Sequence, residues 1–352
     1  MLTLLFAEIG NTWALPFETD FIIWLQSLGG KGSFIYYLMN FITMFGEEFV
    51  LVGIMGLIYW GLDKRKGEKI GFMLIFATVA NPLIKNIVRR TRPFDSASGI
   101  ENLRDVGGYS FPSGHSSGSA SLFIGCAVTY RKTMKKWMTA LCIIIPLLVA
   151  LSRNYLGAHY LTDVVAGLAL GVILVFLIDL LLRKLNKYIV YAGALVLGAA
   201  GFFYCTTSDF FTGYGILFGF VFAVLFEEKV TKFKNTRCWW RIALRVAAGG
   251  ALFLGLNELL KLPFNSVIYT YTADGTKIMK DGMETFERIF RTVRYAVVTF
   301  TCMGIYPLIF APFEKLWNRL SLNREGAVSV HDDNVANQEN TENSQNQDND
   351  IA

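Results

Sequence analysis

The sequence predicts an all-α integral membrane protein, a helical bundle followed by about four additional transmembrane helices. The 352 residues are 53% hydrophobic and only 17% charged, where soluble proteins average about 25% charged. Apolar runs recur along most of the chain, separated by short basic stretches. The mean hydropathy of +0.41 understates the body, because the stretch from Leu322 to Ala352 is mostly Asn, Gln, Asp, Glu and Ser. Removing that tail's seven acids and one base from the totals of 28 and 33 leaves 21 acids and 32 bases, a net of +11. A basic body suits nucleic acid or a membrane. Nucleic-acid binders are not this apolar, and here the bases lie between apolar runs, so membrane loops are expected and no nucleic-acid partner.

The N-terminal MLTLLFAEIGNTW has no positive n-region and no small-residue cleavage site, so it does not read as a cleaved leader. The apolar stretch Phe21 to Phe45 is broken by Gly29-Gly30-Lys31-Gly32, and Glu47-Glu48 leave no room for a turn before the next span. Residues 1–48 therefore read as interfacial helices. Nine candidate spans follow: Phe49 to Leu62, Ile70 to Ile84, Ser116 to Tyr130, Trp137 to Ser152, Val164 to Leu182, Tyr188 to Thr206, Phe210 to Phe226, Val246 to Leu260 and Tyr295 to Phe313. Several are shorter than the roughly 20 residues that cross a bilayer and must borrow flanking residues. The glycines of residues 198–201, 213–219 and 249–255 suit close packing of a second helical layer. Met283 to Tyr295 reads as an amphipathic helix lying at the outer interface, able to roof a site. The polar tail, residues 322–352, cannot bury enough surface to order itself. The five cysteines show no CxxC pair, so neither a disulfide framework nor a zinc site is expected.

Alternation of nine spans puts Lys64–Lys69, Arg131–Lys136, Arg183–Lys187, Lys229–Arg241 and the tail on one side, which the positive-inside rule makes cytoplasmic. The other side receives residues 85–115, the loop near Asp209, and residues 263–294. The first of these is basic although it faces out.

Three polar patches interrupt the apolar pattern, all at helix ends on that outer face: Lys85 to Pro93, Phe111 to Ser119, and Ser152 to Asp163. Lys85 and Arg92, two helical turns apart, would share one face, with Pro93 limiting the helix. Ser113 and Gly114 open a small-residue run whose first backbone amides are free to bind an anion. Arg153 adds a planar fork suited to phosphate oxygens. Of three histidines, His331 lies in the tail and His115 and His159 lie in these patches. His159 and Asp163, at i and i+4, allow the carboxylate to hold one ring nitrogen and free the other as a nucleophile. His115 suits the role of proton donor to a leaving oxygen. Chemistry alone leaves open which histidine attacks, though the carboxylate favours His159. Taken singly, Arg89, Arg90, Arg104 and Arg294 read as interfacial anchors, and Asp179 and Glu258 as interfacial acids. The joint set on one face does not reduce to such readings.

These patches resemble the signature of the type 2 phosphatidic acid phosphatase family, K-x6-RP, PSGH and SR-x5-H-x3-D. Lys85, Arg92 and Pro93, then Pro112, Ser113, Gly114 and His115, then Ser152, Arg153, His159 and Asp163 match every position. The resemblance covers roughly Phe49 to Leu182. It implies a catalytic transmembrane core over 49–186, with residues 187–321 as additional helices. It further implies attack by His159 to form a phosphohistidine, orientation by Asp163, and protonation of the leaving oxygen by His115. Phosphate would be held by Lys85, Arg92, Ser113, Gly114 and Arg153, without a metal or other cofactor. The substrate would be a lipid phosphate or pyrophosphate in the bilayer, with polyprenyl pyrophosphate, phosphatidate and phosphatidylglycerophosphate all fitting. The localisation expected is the plasma membrane, with the site on the extracytoplasmic face. Phosphotransfer through the same histidine is a second reading, and a lipid or anion transporter a third. Vanadium-dependent haloperoxidases share the phosphate pocket but are soluble.

Overall fold

The computed structural model describes residues 12–271 and 277–317. Residues 1–11, which do not read as a cleaved leader, and the tail with His331 lie outside these residues. The described chain is helical nearly throughout, with one antiparallel hairpin of β1 (Tyr269–Tyr271) and β2 (Lys277–Met279).

Helix α1 (Pro16–Ser27) opens with proline, and its Glu18 accepts from the Leu15 amide at 2.9 Å, closing the N-terminus. Helix α2 (Phe34–Thr43) is capped by Ser33 and continues as a 3-10 turn, Met44–Gly46. The chain then bends by 53° at Glu47 into α3 (Glu48–Gly56), which a π-helical segment extends to Leu62. The side chain of Asp63 caps α4 (Lys64–Val88), and a short α5 (Pro93–Ser96) follows. Then come α6 (Gly114–Thr129), α7 (Lys136–Tyr155), α8 (Leu161–Lys184) and α9 (Lys187–Ala199). The last three are α10 (Ser208–Phe226), α11 (Trp239–Ile268) and α12 (Glu284–Phe300).

Each of the nine apolar runs is helical. Among the described residues, six helices are long and apolar enough to cross a membrane, or seven if the bent α2–α3 pair counts as one span. α6, at 16 residues, and α9, at 13, are shorter.

Small residues set the central packing. A side chain at Gly167 or Gly171 of α8 would come within about 2.6 Å of the carbonyls of Ser113 and Ser117, so the α6 and α8 backbones touch. In the second layer, Gly215 and Gly219 of α10 do the same against Thr292 and Ala296 of α12. At the end of the bundle remote from the histidines, charges pair across helices. Lys64 meets Glu227 at 2.7 Å, Lys187 meets Glu68 at 2.7 Å, and Lys69 and Arg183 both bind Asp179. Asp179 is thus a buried junction of α4 and α8 rather than an interfacial acid.

Two outer-face expectations change. α11 continues through Pro263 to Ile268 instead of ending before it. The amphipathic stretch Met283 to Tyr295 is not a separate helix lying flat: from Glu284 it runs without interruption to Trp317, with its first half seated on α10.

Candidate active site

The three polar patches meet at one end of the bundle, by a different geometry from the helical spacing argument. α4 stops at Val88, and Arg89 adopts a left-handed conformation (φ 53°). Lys85 and Arg92 therefore do not share a helix face. The chain reverses at Arg89 and returns Arg92, extended, as the residue before Pro93. Likewise His159 precedes α8, whose cap is Tyr160. Asp163 folds back across that cap to accept from the Tyr160 amide at 2.8 Å and reaches His159 Nδ1 at 3.5 Å. That is ion-pair range, and catalytic hydrogen bonds commonly tighten only in the Michaelis complex. The turn carrying His159 depends on Gly157 at φ +72°, where any side chain would strike the Glu101 carbonyl.

Arg92 is fixed by three carbonyls, donating from Nε to Gly108 at 3.0 Å, from Nη2 to Gly107 at 2.7 Å and from Nη1 to Ala158 at 2.9 Å. The same Nη1 lies 3.3 Å from His159 Nε2. Arg153 is buried, donates from Nη1 to Thr43 at 3.2 Å, and has no partner for Nε among the described residues. Lys85 Nζ lies about 3.9 Å from where a Cβ on Gly114 would stand, so it faces the start of α6. There the Ser113 side chain caps the helix and its amide donates to the Asp163 carbonyl at 2.9 Å, tying the second patch to the third. The first-turn amides of Gly114 and His115 have no preceding helical carbonyl to bond. His159 is 2% exposed. Burial first, and then Arg92, Arg153, Lys85 and His115, hold its imidazole well below the usual range, hence neutral. The structure thus brings Lys85, Arg92, Ser113, Gly114, His115, Arg153, His159 and Asp163 together at one end of the bundle. Among the described residues no cluster of three or more His, Cys, Asp or Glu could hold a metal.

Other side chains surround these residues and were not read as part of the site in the sequence. Arg90, read singly as an anchor, is fully buried. It donates from Nη1 to Asp163 Oδ1 at 2.5 Å and to Thr162 at 2.7 Å, from Nη2 to Glu18 at 2.9 Å, and from Nε to the Trp13 carbonyl at 2.9 Å. Its guanidinium lies 3.8 Å and 4.0 Å from the ring centres of Trp13 and Tyr160. Glu18, equally buried, also accepts from the Thr162 amide and hydroxyl, both at 2.7 Å. Burial alone would raise its carboxyl, but the bonds from Thr162 and Leu15 and the Arg90 charge hold it below the usual range. α1 is therefore latched to the start of α8, and Gln26 adds bonds to the carbonyls of Glu101 and Tyr155.

Glu47 lies 3.1 Å from His115 Nε2 and also pairs with Arg104. The contact with His115 outweighs burial and holds its carboxyl below the usual range. Gly46 permits this approach, since a Cβ there would meet the His115 Cβ at 2.9 Å. Arg104 is thus a partner of this carboxylate, not an anchor, and Arg294 is buried, over the rings of Phe290 and Tyr295. From the C-terminal helices, Asp209 reaches Lys85 Nζ at 3.4 Å. Arg90 could have been suspected from its place inside the first patch, five residues after Lys85, and Glu47 from an acid pair abutting an apolar run. Glu18 and Asp209 carried no such signal.

Residues 68–187 match the PAP2 superfamily, and residues 211–318 match the PAP2 superfamily phosphatase, transmembrane extension. The chain is 31% identical over 160 residues to phosphatidylglycerophosphatase B of Bacillus subtilis, covering 43% of this chain and 76% of that protein. It is 35% identical over 139 residues to an undecaprenyl-diphosphatase of Sulfolobus acidocaldarius, covering 38% of this chain and 64% of that protein, just under two thirds of its length. With sphingosine-1-phosphate phosphatase 1 of Rattus norvegicus it shares 25% identity over 312 residues, 79% of this chain and 72% of that one. The chain belongs to the PAP2 superfamily and is a multi-pass membrane protein.

Proposed function

We propose that the chain is an integral-membrane hydrolase of lipid phosphates or pyrophosphates that works through a phosphohistidine on His159. The observation that carries this reading is the environment of His159: a neutral imidazole with Nδ1 toward Asp163 and Nε2 3.3 Å from Arg92, beside Lys85 and Arg153. Nε2 attacks phosphorus, and the bond from phosphorus to the lipid oxygen, or to the bridging oxygen of a pyrophosphate, breaks. His115 gives that oxygen its proton. Water then attacks the phosphohistidine, His115 takes the water's proton, phosphate leaves, and His159 is restored. Lys85, Arg92, Arg153 and the amides at the start of α6 offset charge on the non-bridging oxygens. Asp163 keeps Nδ1 protonated and stabilises the cationic ring that forms as Nε2 bonds to phosphorus.

The relatives are named for an undecaprenyl diphosphate, a phosphatidylglycerophosphate and sphingosine 1-phosphate, which share a phosphoryl group on a lipid anchor and little else. The substrate class is accordingly a lipid-anchored phosphomonoester or pyrophosphate. The site faces the extracytoplasmic side of the plasma membrane, a placement supported by the basic loops at the opposite end of the bundle. Phosphate release by detergent-purified protein across a panel of such lipids, with excess EDTA, tests the activity. Release that survives EDTA and vanishes in His159→Ala is expected. Folded protein that releases no phosphate from any of them would favour transfer to another acceptor, or transport.

A further inference from the structure

None of the candidate site residues lies on α11 or α12, yet these helices close one side of an apolar groove of about 200 Å³ whose other walls are α3, α4 and α10. No Asp, Glu, Lys, Arg or His lines it. Glycines create its width. Gly53 of α3 and Gly250 of α11 both line it, and at neither does any atom beyond the local helix backbone lie within 4 Å of where a Cβ would stand. Gly56 and Gly249 are the contrast, because the Trp60 ring lies flush against both and forms the floor. Phe49 and Leu254, 56% and 58% exposed, stand at the groove's edge.

The groove begins close in sequence to the candidate site, at the start of α3. Glu47, which contacts His115, is two residues from Phe49, the first lining residue. From Phe49 to Trp60 the helix covers about 17 Å, roughly half of the ~30 Å hydrocarbon core. We infer that this groove receives one hydrocarbon chain of the lipid whose phosphate is held at His159, so that α11 and α12 set the preference for chain length. The inference rests on the hydrolase reading above. A chain entering from the bilayer gains little by burial alone, since lipid tails are as apolar as the groove. What the groove supplies is register: it holds the lipid at the depth and angle that bring phosphorus to Nε2.

The test is Gly53→Leu and Gly250→Leu in the full chain, assayed on phosphatidate with two oleoyl chains and on phosphatidate with two butanoyl chains. Leucine fills the open space and favours helix over glycine. At least a tenfold loss of kcat/KM on the oleoyl substrate, with the butanoyl substrate within twofold of wild type, is expected. Equal loss on both, or no loss on the oleoyl substrate, would overturn the assignment and mark the groove as a seat for bulk lipid or a packing gap. Where phosphatidate is not hydrolysed, the same comparison is made on a lipid phosphate of the panel that is, against its short-chain analogue; release from none of the panel would overturn the hydrolase reading, and the groove assignment with it. If a leucine variant does not fold, a lipid phosphate carrying a mid-chain photoreactive group takes its place on wild-type protein. Labelling of α3 and α11 around Gly53 and Gly250 is expected, and labelling elsewhere only would overturn the assignment.

Discussion

Arg90→Met should disable the protein although Arg90 need not touch substrate. The methionine keeps much of the volume and removes the charge. In the folded chain Asp163 and Glu18 are both fully buried, and the guanidinium bonds to each, at 2.5 Å and 2.9 Å. Removing one partner of a buried ion pair typically costs about 3–5 kcal/mol, because the other charge is left uncompensated. Here two carboxylates lose their cation, so the upper end of that range is expected as lost stability. The effect on chemistry is separate. An Asp163 that takes up a proton to relieve its burial can no longer hold the imidazole, and loss of the corresponding carboxylate in histidine triads lowers kcat by up to about 10⁴. A fall of roughly 10²–10⁴ in kcat is therefore expected with KM little changed. Arg90→Lys, which keeps the charge but not the fork, should fall between. The decisive assay is a double-mutant cycle on kcat, using protein whose melting shows it is folded. If Arg90 acts through Asp163, Arg90→Met combined with Asp163→Asn should be no slower than Asp163→Asn alone. Multiplying losses, or a folded Arg90→Met within threefold of wild type, would refute the reasoning.

Glu47→Gln should lower kcat about 10²-fold on lipid alcohol leaving groups and much less on p-nitrophenyl phosphate, whose leaving oxygen needs no proton; the same loss on both would make Glu47 merely structural. Asp209→Asn frees Lys85 from a partly exposed pair worth up to about 1 kcal/mol, so inhibition by inorganic phosphate should tighten by up to fivefold, and unchanged inhibition would show that Asp209 does not compete for the lysine. For pH, the folded state keeps His159 neutral where the unfolded chain protonates it near 6.5. The unfolded state then binds more protons, and stability falls as pH drops below about 6.5. Wild-type protein should lose more melting temperature between pH 7 and pH 5 than His159→Gln, and equal losses would contradict the neutral imidazole.

The helical class and the positions of the apolar helices were legible because a bilayer imposes length and composition on every span, a constraint that needs no tertiary knowledge. The candidate pocket was legible because its residue types are local and rare: two histidines, three cations and a carboxylate in three short patches. Its construction was not. The helical register invoked for Lys85 with Arg92, and for His159 with Asp163, points to the right neighbours, but the chain brings them together through a left-handed Arg89 and through the cap of α8. Contacts over long separations were silent: Glu18 lies 72 residues from Arg90, and Glu47 57 residues from Arg104. Nothing in a pattern of apolar runs says which acid will end beside which base. Residues 283–295 misled for a related reason. An amphipathic face suits a membrane surface and a helical partner equally, and the partner here is α10.

The central claim is covalent attack by His159, and rapid quenching of the enzyme on ³²P-labelled lipid phosphate measures it most directly. Acid-labile, base-stable label on His159 is predicted in wild-type protein, longer-lived in His115→Ala when the leaving group is activated, and absent from His159→Ala. Label that persists in His159→Ala, or full turnover by that variant, would contradict the account.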